Sequence, residues 1–327
     1  MSRGTTPHRS IPENKAERFF VPAAGGINLS VYRLTGPAAS GPGPVLLCGH
    51  ATGMAAGSYL PWFEMLAHRA VLYAFDARGH GGSDTPPDPL DASVTLDTQA
   101  DDLAAVTDAV CRRENGAPVY YAAHSISGAA ALHLGIRDGA VPWAGMTLFE
   151  PPIMIGRDHQ RHPDAMENSA ERAQLTERRR ARWQSPAAFA DKLATHGAFS
   201  KFDPAMLAAH CEATLRPDGD EFELACAPRV EAAFFRSVHN TRVWDGLPKF
   251  PFPARFVGGD PEIPDPGTGA ARWVTAVAGD VAARVRGSRF TVVPDSGHMM
   301  VCERPDRCRD LVFDMIDAEA ERRLSAD

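Results

Sequence analysis

The sequence predicts an α/β protein built on a doubly wound, mostly parallel sheet with a helical lid inserted late in the chain. Three observations carry that expectation. Short, continuous apolar runs recur at Val45–Cys48, Val71–Phe75, Val119–Ala123 and Met146–Phe149, and runs without polar alternation are the mark of strands buried on both faces. Between Val94 and Arg113, Leu96, Leu103, Val106 and Val110 recur at helical intervals among carboxylates, which supplies the crossover helix that a parallel pair requires. From about Ile153 to Asp245 the strand rhythm stops and the composition turns to Arg, His, Glu and Ala.

The elements follow in order. Residues 1–15 are polar and read as a disordered lead. Ala16–Pro22 and Ile27–Arg33 read as two strands joined by the turn Ala24-Gly-Gly26, a hairpin. A Pro/Gly-rich connector, Gly36–Pro44, leads into the buried runs, so that the core domain spans 16–152. Helix-favouring stretches at Ala165–Trp183 and Ala187–Thr195 define the helical lid over 153–245. The core resumes over 246–327 with the strand Ala254–Gly259, a helix around Ala270–Val281, the strand Arg289–Val293 and an amphipathic closing helix from Pro305 to about Arg323. With 327 residues, the chain is long enough to bury one large core and carry such an insertion.

A net charge of −7 argues against nucleic acid as a partner, because a phosphate-binding surface shows as a basic excess. No run approaches the ~20 apolar residues of a membrane span. The first ten residues have no apolar core, so no export signal is read and a cytoplasmic location is expected. Six cysteines lie scattered without Cys-x-x-Cys spacing, which favours buried thiols over a metal site or a disulfide framework. Whether the chain forms a homodimer is left open.

The chemistry centres on Val119–Gly128, an apolar run that breaks at Ser125 and flows into the alanine-rich Ala129–His133. A serine at the tip of a sharp strand-to-helix turn needs neighbours with little side chain two positions to either side, so that strand and helix can approach closely. Ala123 and Ser127 meet that need, with Gly128 just beyond, although the usual Gly-x-Ser-x-Gly has both glycines replaced. Taken alone, the match is weak, and the window reads first as a small-residue turn ending a buried strand. Three further motifs change that reading: Gly49-His-Ala-Thr-Gly53, Asp76–Ser83 with its glycines, and Asp295–Pro305 around His298. Each follows a strand, and the carboxyl ends of parallel strands are where ligand sites form.

In this order the four motifs resemble the α/β-hydrolase superfamily, over roughly Ala16 to Ile316. The resemblance implies Ser125 as nucleophile and His298 as the base that removes its proton, histidine being the side chain whose pKa suits the task. It implies a carboxylate as third member. Asp260, after the strand Ala254–Val257, stands first; Glu150, closing Met146–Phe149, is the alternative acid, and Glu262 is a near neighbour. The implied oxyanion hole comprises the backbone N–H of Ile126 and that of Thr52, with Ala51 or Met54 as substitutes for the latter. His50, His80 and His124 read as structural. The arginines of Arg178–Arg182 read as a solvated helix face or as a site for a substrate carboxylate. The lid's aromatic residues, Trp183, Phe189, Phe202, Phe234 and Trp244 among them, read as its own core and its seam with the main domain, or as the lining of a pocket. The activity implied is that of a serine esterase, carboxylesterase or lipase-like, acting on a small, moderately apolar, ester-like substrate without cofactor or metal. Hydrolysis of C–C, thioester or lactone bonds uses the same residues, and a low-turnover ligand receptor keeps the same fold.

Overall fold

The computed structural model describes residues 8–34, 43–264 and 272–325. Eight strands form one sheet: β1 (Ala16–Ala23), β2 (Ile27–Leu34), β3 (Val45–Gly49), β4 (Val71–Phe75), β5 (Val119–His124), β6 (Gly145–Phe149), β10 (Arg255–Gly258) and β11 (Arg289–Val292). Their spatial order is β1-β2-β4-β3-β5-β6-β10-β11. Pairing is parallel from β4 through β11, while β1 and β2 add an antiparallel hairpin at one edge. Every residue of β3, β5 and β6 is buried, because helices cover both faces. Along β3 the pleat divides the run: Val45 and Leu47 enter one core with Leu103, Val106 and Leu132, and Leu46 and Cys48 enter the other with Trp62, Phe63 and Val312. Among the described residues, no helix is long and apolar enough to cross a membrane.

The insertion between β6 and β10 differs from the all-helical expectation. Besides the helices His162–Glu177, Pro186–Ala194, Pro204–Ala213 and Pro228–Ser237, it carries a small antiparallel sheet of β7 (Arg182–Trp183), β8 (Leu215–Asp218) and β9 (Glu221–Leu224), in the order β7-β9-β8. β8 and β9 form a hairpin whose two-residue loop begins at Gly219, with φ 64°. Its aromatic residues divide between the expected roles of local core and seam. Trp183 and Phe189, with ring centroids 4.7 Å apart, form a local core with Leu193, Cys211, Leu215 and Leu224. Phe234 and Trp244 join one main core, and Phe202 the other.

The lead departs from expectation too. Residues 1–7 lie outside the described residues, but Ser10 and Ile11 are buried, and Ser10 Oγ donates to Asp76 at 2.9 Å. A polar residue is stable inside when a buried acceptor meets it, and a hydropathy reading of the lead alone does not see that partner. Most of the Gly36–Pro44 connector also lies outside the described residues, as do Ala270 and Ala271; the helix expected there runs over Trp273–Ala283.

Candidate active site

Ser125 stands alone between β5 and the helix Ile126–Asp138, with φ 56° and ψ −121°. A non-glycine residue held there costs about 1–3 kcal/mol, and the surroundings over-determine it. Its N–H donates to Phe149 O at 2.8 Å, its carbonyl accepts from Gly128 N at 2.9 Å, and Ser127 Oγ ties the helix start to His50 O at 2.7 Å. The close packing expected around the turn is present. A Cβ on Gly49 would lie 2.6 Å from Ser127 Cβ, and one on Gly128 would lie 3.2 Å from Pro151 Cβ.

His298 reaches back to this turn. Its Nε2 lies 3.1 Å from Ser125 Oγ and its Nδ1 lies 2.7 Å from Glu150 Oε2. Glu150 is fully buried and has a positive φ of 42°. Its N–H donates to Val257 O at 2.9 Å, Oε1 accepts from Gly259 N at 2.6 Å, and Oε2 also accepts from Thr275 Oγ1 at 3.0 Å. A carboxylate only accepts, so the pairing assigns the ring proton to Nδ1 and leaves the Nε2 lone pair facing the serine hydroxyl.

The expected ranking of the carboxylates is therefore reversed in the geometry. Asp260 does follow β10, yet its side chain accepts from the N–H of Glu262 at 3.0 Å and of Asp295 at 3.4 Å, and its own N–H donates to Ser296 O at 2.7 Å. It braces the histidine loop from outside while Glu150 takes the imidazole. Gly259 explains the exchange: a Cβ there would lie 2.6 Å from Gly297 O, so the bare glycine lets the loop settle on the exit of β10, above the Glu150 carboxylate. Glu262 is exposed and meets Asp260 through its backbone.

Facing the serine turn is the loop His50–Met54. Ala51 N donates to Tyr59 OH at 3.2 Å, Gly53 N to His80 Nε2 at 3.1 Å and Met54 N to Ala51 O at 3.2 Å. The N–H groups of Thr52 and Ile126 make no hydrogen bond to the described residues. They are the pair that the family resemblance implies as anion donors.

Residues 45–311 match the model of the alpha/beta hydrolase family. The chain belongs to that family. Comparison with curated proteins returns no match. Among solved structures, this alpha/beta hydrolase is similar to E-2-(acetamidomethylene)succinate hydrolase, with a TM-score of 0.72 at 17% identity over 92% of this chain and 99% of that one. It is similar to the thioesterase domain of the curacin biosynthetic pathway, with a TM-score of 0.69 at 14% identity over 92% and 100%. It also resembles a thermophilic esterase from Thermogutta terrifontis, with a TM-score of 0.65 at 20% identity over 93% and 99%. At these identities the likeness speaks for the fold.

Around the alpha/beta hydrolase site, the remaining histidines hold loops. His50 bridges Ala51 O at 2.8 Å and Ala77 N at 2.9 Å. His80 spans Arg78 O and Gly53 N, and burial pushes its pKa down to about 3, so it stays neutral and accepts from Gly53. In the arginine run, Arg179 pairs with Glu231 at 2.6 Å, Arg182 with Asp218 and Glu221, and Arg180 lies over the Trp183 ring. Burial raises the Glu231 pKa and Arg179 opposes that rise. Glu231 belongs to the insertion, yet a Cβ on Gly53 would lie 2.4 Å from its Oε1, so the insertion abuts the loop that carries Thr52. A small cleft opens beside His298, lined among others by Lys201, Thr275, Met299 and Glu303. Among the described residues, no group of three His, Cys, Asp or Glu side chains is placed to hold a metal ion.

Three contributors escaped the sequence. Thr275 carries no motif and Gly259 reads only as the exit of a strand, and only the fold sets them against Glu150. Asp76 lay inside a recognised motif, but its role as a fully buried acceptor for Ser10 Oγ, Tyr32 OH, Ala56 N and Gly82 N depends on segments far apart in the chain.

Proposed function

We propose that this chain is a serine hydrolase cleaving the ester-like bond of a small, moderately apolar substrate, in the manner of a carboxylesterase. The observation that carries the reading is the His298 imidazole, bonded at once to Glu150 and to Ser125. As Ser125 Oγ attacks the substrate carbonyl carbon, its proton passes to His298 Nε2, and Glu150 stabilises the imidazolium through Nδ1–H. The carbonyl electron pair moves to oxygen, where the N–H groups of Ile126 and Thr52 receive it; each such donor is worth roughly 10²–10³ in rate. Collapse breaks the bond to the alcohol, which leaves with the proton from His298, and the acyl group stays on Ser125. Water then attacks the acyl-enzyme, giving its proton to His298, and the acid departs as Ser125 regains that proton.

The insertion, with Glu231 and Arg179 backing the Thr52 loop, serves as the lid. The similar structures are named as a hydrolase, a thioesterase domain and an esterase, which supports acyl transfer and leaves the acyl group open. The test is stoichiometric labelling by a fluorophosphonate, lost in Ser125→Ala, together with steady release of p-nitrophenol from short-chain esters. Absence of labelling sinks the nucleophile assignment; labelling with one slow burst replaces the enzyme by a ligand receptor on the same fold.

A further inference from the structure

We propose that His124 is a positioning residue, joining the carbonyl of His298 to the loop that carries Thr52 through the chain Ala51 N–H, Tyr59 hydroxyl, His124 imidazole and His298 C=O. The inference deepens the serine-hydrolase reading and rests on it.

His124 is the last residue of β5, directly before Ser125, and it is buried together with Tyr59. Its Nε2 lies 2.9 Å from His298 O and its Nδ1 lies 2.6 Å from Tyr59 OH, while Ala51 N lies 3.2 Å from the same hydroxyl. These contacts fix the direction of every bond. A carbonyl oxygen only accepts, so Nε2 carries the proton; a neutral imidazole then offers Nδ1 as acceptor, so Tyr59 donates to it; and the Tyr59 oxygen accepts from Ala51 N–H. Reversing the tautomer would set a bare Nε2 against a carbonyl, two acceptors face to face. Met54 Sδ, 3.1 Å from the Tyr59 oxygen, is the acceptor Tyr59 would turn to if His124 held both protons.

The surroundings oppose that second proton. Burial lowers the His124 pKa to about 3, and His298 and His50 nearby push in the same direction, while burial holds the Tyr59 hydroxyl well above its ordinary value. The ring centroids of His124 and His298 are 5.2 Å apart, so a neutral His124 places no positive charge beside the imidazolium that forms at His298 during reaction. Three parts of the site thus meet at one imidazole: the serine turn through the chain, the base loop through His298 O, and the anion loop through Ala51, next to Thr52. A misplacement of about 1 Å at such a site costs about 10²-fold in rate.

The test uses the full chain and p-nitrophenyl esters. His124→Phe keeps a ring and removes both nitrogens, and it should lower kcat by about tenfold to a hundredfold with KM within about threefold. Tyr59→Phe should cost about tenfold. The double variant should lose no more than His124→Phe alone, since a chain cut at one link gains nothing from a second cut, and His124→Gln, which keeps a donor near the Nε2 position, should recover most of the rate. Losses that simply multiply would overturn the chain, because independent packing defects add in free energy. Nitrogen-15 NMR of the imidazoles supplies a readout separate from activity and from the fold of any variant: His124 should stay neutral with the proton on Nε2 from about pH 5 to about pH 9. A proton on Nδ1, or an imidazolium in that range, would refute it. Should the wild type neither label with fluorophosphonate nor turn over, the serine-hydrolase reading fails, and the NMR result still decides the hydrogen-bonded chain.

Discussion

β6 and β10 are neighbours in the sheet and each is followed by a carboxylate, Glu150 directly after one and Asp260 two residues after the other. Glu150 is fully buried and accepts from Gly259 N, Thr275 Oγ1 and His298 Nδ1; Asp260 is partly exposed and, among the described residues, accepts from the loop N–H groups of Glu262 and Asp295. The difference lies in where the histidine loop lands. Leaving β11, it packs on the exit of β10, with Ser296 O accepting from Asp260 N and Gly297 resting against Gly259. Asp260 thereby becomes part of the loop's scaffold. Glu150 sits one strand inward, between that scaffold and the Ser125 turn after β5, and its φ of 42° with N–H held by Val257 O fixes the strand exit from which its side chain reaches beneath Gly259. A carboxylate at a strand end is thus a candidate acid only on the strand that the histidine loop overlooks.

The sharpest way to break that comparison is to neutralise each acid in turn. Glu150→Gln should lower kcat by about 10³–10⁴-fold, since an amide both weakens stabilisation of the imidazolium and can drive the wrong tautomer. Steady-state kinetics on a p-nitrophenyl ester reads it, and a larger loss from Asp260→Asn would return the role to β10. Next in size is Gly259→Ala. Its Cβ would fall 2.6 Å from Gly297 O, a backbone atom that no side-chain rotation can clear, so the histidine loop must lift; a loss of about 10²-fold in kcat follows from a displacement near 1 Å. Unchanged kinetics would mean that the loop's seat on β10 does not set the imidazole's position.

The sheet is legible in the sequence because its signal is local. Val45–Cys48, Val119–Ala123 and, but for Thr147, Met146–Phe149 are apolar because both faces are covered, and that pattern survives without knowledge of their partners. Ser125 and His298 carry local turn signals, small neighbours in one case and Ser296-Gly297 in the other, but their expected roles come from the order of all four motifs and the resemblance it carries. The carboxylate is different. Glu150 and Asp260 satisfy the same local description, and what separates them, a positive φ and a landing point set by packing, is not local. Ser10 fails for the same reason: a serine in a polar lead reads as solvated, yet its acceptor, Asp76, is 66 residues away in sequence. The β8–β9 hairpin also has a local signal, since Gly219-Asp220 lies between residues able to pair, but the helical composition around it outweighs the turn.

The smaller predictions sharpen the contrast from each side. Thr275→Val keeps the side chain's shape and deletes the hydroxyl donated to Glu150 Oε2 at 3.0 Å. A hydrogen bond to a charged group is worth about 1.5–3 kcal/mol, but Gly259 N–H and the imidazole still hold the carboxylate, so a loss of about tenfold in kcat is expected, with Thr275→Ser near wild type.

Asp260→Asn should change kcat by no more than about twofold, because the amide keeps an oxygen acceptor for the Glu262 N–H and loses only the long contact to Asp295 N, at 3.4 Å. Its informative partner is Asp260→Ala, which removes both acceptors. If Asp260 is scaffold, Asp260→Ala should lower the melting temperature while kcat, measured well below it, falls by less than about tenfold, the loss following from the slackened loop. If kcat instead collapses in both variants while the melting temperature holds, the carboxylate charge at position 260 acts on the imidazole, and the division of labour between the two strand exits is wrong.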